Sequence, residues 1–299
     1  MRREIPRLPP RRLVFSGGGM RILSYLGTLQ VLQEQNLLTN VREFCGVSAG
    51  GLLALLMALK YRFHVLERFC FEFDFSILGG VDLDTILESV EQYGLNSGES
   101  LKSLIRKILY HKGFGPNTSF NDLRVSGKVK SLRVWASDIQ YLKPVEFSPE
   151  KTPNISVVDG LYASMSLPMY FTPIRHPETN TLLLDGGVFD NYPISYLTEA
   201  EAEESLGLTF EHKNLPAPIS DIASYMALIT SGYYMPSYKQ LIEKHKCRTI
   251  IIQCQEFPST QFEASREERQ MLVSLGRQAA EKFLRTRFLP NSLRRNSVG

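Results

Sequence analysis

Cysteine is scarce: the 299 residues contain four, Cys45, Cys70, Cys247 and Cys254. None forms a CxxC pair and none stands at zinc-finger spacing from a histidine. A disulfide framework and a structural metal site are therefore excluded as organising devices, and free thiols suit a reducing, intracellular setting. Long hydrophobic runs are also missing. The longest uncharged, mostly apolar stretch is Cys45 to Leu59, about 15 residues, against the ~20 that a bilayer span needs. The chain opens on arginines and prolines. That is not the apolar core of a secretory signal, and the prolines break the amphipathic helix of a mitochondrial leader. The expectation is a cytoplasmic protein whose membrane contact is peripheral. There is no internal repeat.

What is present is ordinary in bulk and uneven in detail. The chain is 43% hydrophobic and 22% charged, an average globular composition. Its net charge of +3 hides a split: residues 1–12 carry +4, residues 277–299 carry +5, and residues 13–276 carry −6. An acidic body with two basic ends suits an anionic partner at the termini. Nucleic acid is disfavoured by the acidic body and by the lack of nucleotide motifs.

Leu13-Val14-Phe15 predicts a buried strand ending at Ser16-Gly17-Gly18-Gly19. Ile22, Tyr25, Leu26, Leu29 and Leu32 then lie on one helical face. Phe44-Cys45-Gly46 leads to Ser48 and an apolar helix over Leu52–Leu59. Strand, glycine turn and helix, twice over, imply a parallel sheet with crossover helices. Residues 63–125 predict helix throughout, with a C-cap at Gly113. Leu132, Val134 and Ala136 alternate as in a half-buried strand. A helix over Val157–Met165 stops before Pro168. Leu182-Leu183-Leu184 reads as a strand, as does Thr249–Cys254, and residues 264–288 as a long helix. Residues 211–220 predict a loop.

Three glycine-rich corners carry chemistry. Gly46-Val47-Ser48-Ala49-Gly50 is a GxSxG sequence between a strand and a helix. It reads as a nucleophile elbow that lifts Ser48 Oγ clear of the backbone and turns the Ala49 amide to the same space; the alternative is a plain turn. Gly17-Gly18-Gly19-Met20-Arg21 leaves amides uncovered at a helix start, where a phosphate or a developing oxyanion binds. No Lys-Ser/Thr follows for a P-loop. Asp185-Gly186-Gly187 ends a strand, where an aspartate reaches the ligand groove of an open sheet or merely caps a turn.

Together, and in this order, the corners resemble the patatin-like phospholipases, the patatin-related lipid acyl hydrolases. The likeness covers roughly residues 12–200. Ala163-Ser164 before Pro168, Phe171 and Pro173, and Asn191 and Pro193 after Asp185-Gly186-Gly187, agree with it, as do Thr118–Leu123 and Ala136-Ser137-Asp138. One departure is Ile22, where the family often has glycine. The resemblance implies a three-layer α/β/α fold with a mostly parallel central sheet. It implies a basic arm over 1–12, a catalytic core over 13–200, and over 201–299 a continuation of the same domain ending in a basic helix and tail.

The resemblance further implies a Ser–Asp dyad: Ser48 as nucleophile, Asp185 as base, no histidine, no metal and no cofactor. The amides of Gly17, Gly18, Gly19 and Ala49 would form the oxyanion hole, with Gly46, Gly50, Gly186 and Gly187 shaping the turns. An aspartate of pKa near 3.9 is a poor base, so burial of Asp185 is expected. Arg21 would hold a lipid phosphate or tie the turn to a neighbouring carboxylate. His212 and His245, in polar runs, read as solvated rather than as triad members. Phe63, Phe69, Phe71, Phe73 and Phe75 read as core or as an acyl pocket, and the aromatic segment 225–238 as a lid at the lipid surface.

The expected activity is calcium-independent hydrolysis of phospholipid esters, of phospholipase A or lysophospholipase type, by a serine esterase. Acyl transfer, or lipase action on neutral lipid, would use the same dyad. An inactive lipid-binding scaffold is the alternative outside enzymes. The expected partners are a lipid ester and an anionic membrane surface; oligomeric state has no signature in the sequence.

Overall fold

The alternation in Leu13-Val14-Phe15 divides the molecule into its layers. In the computed structural model, which describes residues 9–78, 93–212, 219, 222–254, 257 and 264–288, Leu13 and Phe15 enter one apolar cluster. Val14 enters another. Strand β1 (Arg12–Phe15) is thus covered on both faces, as a strand inside a three-layer fold must be.

After β1 come α1 (Leu23–Glu34), β2 (Glu43–Val47), α2 (Ala49–Ala58), α3 (Phe63–Glu72) and β3 (Gly94–Asn96). Then follow α4 (Glu99–Tyr110), α5 (Phe120–Val125), β4 (Ser131–Asp138), β5 (Lys143–Phe147) and α6 (Val157–Met165). Strands β6 (Met169–Phe171), β7 (Ile174–Arg175) and β8 (Leu182–Asp185) precede α7 (Glu199–Glu203) and β9 (Ser205–Phe210). The chain closes with α8 (Ile222–His245), β10 (Thr249–Ile252) and α9 (Arg266–Phe288).

The main sheet runs β10-β9-β1-β2-β4-β8-β7, with β5 also on β4. The five strands from β10 to β4 are mutually parallel; β5, β8 and β7 pair antiparallel. One face carries Phe15, Phe44, Val134 and Leu208 under α1, α2, α6 and α9. The other carries Val14, Cys45, Val47 and Trp135 under Tyr192, Ile194, Leu197 and Tyr238.

The register of β4 places the site. One of its edges pairs with β5, from Phe147↔Val134 to Lys143↔Asp138. The other pairs with β2 as far as Val47↔Trp135 and then with β8, beginning at Asp185↔Ala136. Strands β2 and β8 therefore abut end to end along one edge, from opposite directions. The residue after Val47 is Ser48, so the two chain ends that meet carry Ser48 and Asp185.

Several expectations change. Strand β4 is buried from Val134 to Asp138, not half-buried, because it has strands on both edges and helices over it. Residues 63–125 include the short strand β3, paired with β6. Beyond residue 200, β9 lies inside the sheet between β1 and β10. Most of the loop expected at 211–220 lies outside the described residues.

Candidate functional site

Ser48 joins β2 to α2 with φ 54° and ψ −135°. A non-glycine residue in that region holds about 1–3 kcal/mol of strain, sustained only by its surroundings. Here its amide donates to Ser164 Oγ at 3.0 Å, and its carbonyl accepts from the Gly51 amide at 2.8 Å. The flanking glycines are required by close approach. A Cβ on Gly46 would strike the Gly50 carbonyl, and one on Gly50 would come within 2.8 Å of the Phe15 carbonyl. The strand, the turn and the first turn of α2 fit together only without those atoms. Ser48 stays partly exposed while Val47 and Ala49 are buried.

Asp185 is 6% exposed. Its Oδ1 accepts the Gly187 amide at 2.7 Å, the Ser48 side chain lies near enough to favour its charged form, and its own amide donates to the Ser166 carbonyl at 2.8 Å. Burial pushes the carboxyl up to about 6, against Ser48 and the Gly187 amide, which pull it down. It is therefore ionised at neutral pH and far more basic than an exposed aspartate.

The glycine turn faces this pair. A Cβ on Gly17 would come within 2.9 Å of Ser48 Cβ and would strike Asn191 Oδ1. Gly17 is clamped on both sides by Asn191: its amide donates to the Asn191 carbonyl at 3.1 Å, and its carbonyl accepts from Asn191 Nδ2 at 3.0 Å. This corrects the expected oxyanion set, because the Gly17 amide is already committed. Among the described residues the amides of Gly18, Gly19 and Ala49 carry no hydrogen bond. Gly19 has φ 52°, and the Phe210 ring lies against Gly18 where a Cβ would stand.

A buried chain of hydroxyls holds the turn from below. Ser16 Oγ lies 2.8 Å from Tyr25 Oη and accepts from Thr209 Oγ1 at 3.0 Å. Thr209 Oγ1 in turn lies 2.8 Å from Tyr238 Oη. Tyr238 comes from α8, so residue 238 of the segment expected as a lid is a fixed support. The side chains of Tyr233 and Tyr234 lie outside the described residues. Asn191, Ser164 and the Ser16–Thr209–Tyr238 chain are site supports that the motifs alone do not assign. Asn191 and Ser164 do fall within the sequence signatures; Thr209 has no local signal.

Arg21 closes the turn through its amide, which donates to the Gly18 carbonyl at 3.0 Å. Its Nε donates to the Phe257 carbonyl at 2.6 Å, so the guanidinium ties the turn to the segment after β10, with a carbonyl in place of the expected carboxylate. Two histidine readings are corrected. His212 packs edge-on against Tyr238, ring centroids 4.8 Å apart, and burial, then Arg21, lowers its pKa to about 4. His245 is 6% exposed. His212 is half-buried, so neither lies on a fully solvated face. The groups that set the Asp185 carboxyl are burial, Ser48 and Gly187; no histidine is among them.

The basic ends need the same revision. Arg11 pairs with Glu204 at 3.6 Å, and Arg12 with Glu43, the latter pair inside β1 and β2. Arg277 grips Glu34 at 2.7 Å and Arg285 pairs with Glu281 at 3.3 Å. These four cations are partly neutralised within the fold.

A narrow apolar crevice of only about 10 Å³ lies between α1, α2 and α3, lined by Ile22, Leu26, Leu52, Leu53, Leu56 and Phe69. Phe69, Phe73 and Phe75 pack as an aromatic cluster, Phe69 to Phe73 at 5.0 Å and Phe73 to Phe75 at 4.9 Å. Of the expected aromatic set, Phe69 alone borders the crevice.

A mostly parallel sheet with a serine turn, a buried aspartate and uncovered glycine amides meeting at its strand ends is an arrangement of the α/β hydrolase kind. Within it, the chain belongs to the patatin-like phospholipase family, whose model matches residues 13–198. An uncharacterised protein of Acanthamoeba polyphaga mimivirus is 24% identical over 285 residues, 89% of this chain and 91% of its own. A probable lipid hydrolase of Invertebrate iridescent virus 6 is 28% identical over 187 residues, 62% of each chain. VipD from Legionella pneumophila shares the fold, with a TM-score of 0.64 at 19% identity over 94% of this chain and 68% of VipD.

Proposed function

We propose that this protein is a calcium-independent lipid acyl hydrolase of phospholipase A or lysophospholipase type, acting through a Ser48–Asp185 dyad. The observation that carries the reading is a buried carboxylate, its pKa raised to about 6, set at the strand end beside the Ser48 turn and close enough to feel the Ser48 side chain. Asp185 accepts the hydroxyl proton as Ser48 Oγ bonds to the ester carbonyl carbon. The carbonyl oxygen becomes an oxyanion held by the amides of Gly18, Gly19 and Ala49, the last at the positive end of α2. The proton passes from Asp185 to the departing alcohol, leaving acyl-Ser48. Water then repeats the sequence, with Asp185 as its base, and releases the fatty acid.

Active-site labelling with an alkyl fluorophosphonate tests the proposal. Wild type should label and lose activity on phospholipid vesicles, both unaffected by EDTA; Ser48→Ala should do neither. Asp185→Asn should reduce turnover by at least 10³-fold while remaining folded. A folded wild-type protein that never labels would defeat the reading.

A further inference from the structure

The far end of α2 from Ser48 carries a second feature, unrelated to the ester site. Lys60 and Arg62 follow the helix, and Lys130 precedes β4, its amide donating to the Ala58 carbonyl at 3.0 Å. The three side chains line an open groove of about 460 Å³ together with Phe44, Tyr61 and Phe63, and no carboxylate lines it. Lys112 joins them from the end of α4, its Nζ 4.2 Å above the Tyr61 ring and donating to the Lys60 carbonyl at 3.2 Å. Lys130 Nζ lies 5.7 Å over the Phe44 ring.

Elsewhere on the described surface, cations such as Arg68, Arg106, Arg124 and Arg277 find carboxylates. Among the described residues, Lys60, Arg62, Lys112 and Lys130 have none within 4.0 Å. Their charges are felt: burial and then Arg62 lower the Lys112 pKa, and burial and then Lys60 lower that of Lys130. Cations kept together without a counter-charge repel one another, and a bound anion relieves that repulsion. The helix C-terminus offsets part of the charge, but Lys112 alone occupies the Lys60 carbonyl there. A dense phosphate group answers the remaining three, and the polar edge of Gln33, Asn36 and Thr39 offers hydrogen bonds to its substituents.

We propose that this groove binds a soluble anion carrying two or more phosphates. The ten residues of α2, at about 1.5 Å each, separate it from Ser48 by roughly 15 Å, so it is not the headgroup subsite of a lipid whose ester lies at Ser48. A membrane docked on this end would face away from the catalytic turn, which favours the soluble source.

Calorimetry on the full chain with inorganic tripolyphosphate tests the site, with vesicles of phosphatidylcholine containing 20% phosphatidylserine as the other arm, a composition of about that order being enough to attract basic segments. Saturable 1:1 binding is expected. The double variant Lys60→Glu/Lys130→Glu should weaken it at least tenfold, and Lys60→Gln/Lys130→Gln, the milder change, about threefold or more. Reversal of two exposed lysines that do not line the groove, Lys151→Glu/Lys244→Glu, should change it less than twofold. Basal hydrolysis of a soluble ester should be the same in all. Equal losses in the groove and control variants would show diffuse attraction and overturn the site. Groove-dependent binding of vesicles without binding of tripolyphosphate would overturn the soluble ligand.

Discussion

At Asp185, function and stability pull in opposite directions. The folded carboxyl sits at about 6 against an ordinary value near 3.9, so above pH 6 the native state holds a charge it would rather neutralise. A shift of about 2 units corresponds to roughly 3 kcal/mol. Because the native state binds the extra proton between about pH 4 and 6, this cost appears as pH rises through that window and is absent below it. Asp185→Asn should therefore stabilise the protein at pH 8, by up to about 3 kcal/mol, and have little effect near pH 4; urea melts at the two pH values measure the difference. Wild-type kcat/KM should fall about tenfold per unit below pH 6, because the base must be ionised to accept the serine proton.

Arg21 gives a second prediction at this scale. Its Nε is occupied by the Phe257 carbonyl, which favours anchoring of the glycine turn over capture of phosphate. Arg21→Ala should then lower turnover on a phospholipid and on a neutral ester by similar factors, of about 10-fold or more, as the oxyanion amides lose their fixed geometry. A loss confined to phospholipid would return the residue to the phosphate role. The Ser48 conformation, by contrast, was legible in the sequence: glycines two residues before and after it are the mark of a turn too tight for side chains, and the contacts of Gly46 and Gly50 supply the reason.

Among the elements, long periodic ones were legible and short ones were not. Helices α1, α4 and α9 carry several turns of apolar spacing, enough to define a face. Strands β3, β6 and β7 have only two or three residues, too few for any period to show. Strand β9 did have a signal, the alternation of Leu206, Leu208 and Phe210, but it follows directly on the acidic helix α7 and interrupts the glycine expectation with Gly207. Helix α8 departs most from its reading. Its second half supports the site through Tyr238, while Tyr225, Leu228 and Ile229 in its first half are 47%, 36% and 49% exposed. Spaced three and four apart, Tyr225, Leu228 and Ile229 share one face, suited to contact with lipid. Leu228→Glu/Ile229→Glu should reduce sedimentation with vesicles severalfold and leave hydrolysis of a soluble short-chain ester within twofold of wild type.

For the whole molecule, the charge split is smaller in space than in sequence. Arg11, Arg12, Arg277 and Arg285 belong to ion pairs on the body, so a tail deletion that reached Arg11 would also disturb the sheet. Removing residues 1–8 and 289–299 avoids this. At roughly 1 kcal/mol per cation near an anionic surface, that truncation should weaken binding to anionic vesicles while sparing the soluble ester; unchanged vesicle binding would show that the ends do not attach the protein. Among the described residues no helix is long and apolar enough to cross a membrane.

The sequence by itself determined which residues could react and which turns could hold them, because glycine spacing, strand patterning and the order of the three corners are local properties. Only the tertiary structure decided that the corners meet. Ser48 and Asp185 are 137 positions apart in the chain, and they become neighbours because β2 and β8 share one edge of β4, the first ending at Val47↔Trp135 and the second at Asp185↔Ala136. The same packing committed the Gly17 amide to Asn191, buried His245 and half-buried His212, and raised the Asp185 carboxyl by burying it. Each of these depends on what surrounds a group in space, and neighbours along the chain do not specify that.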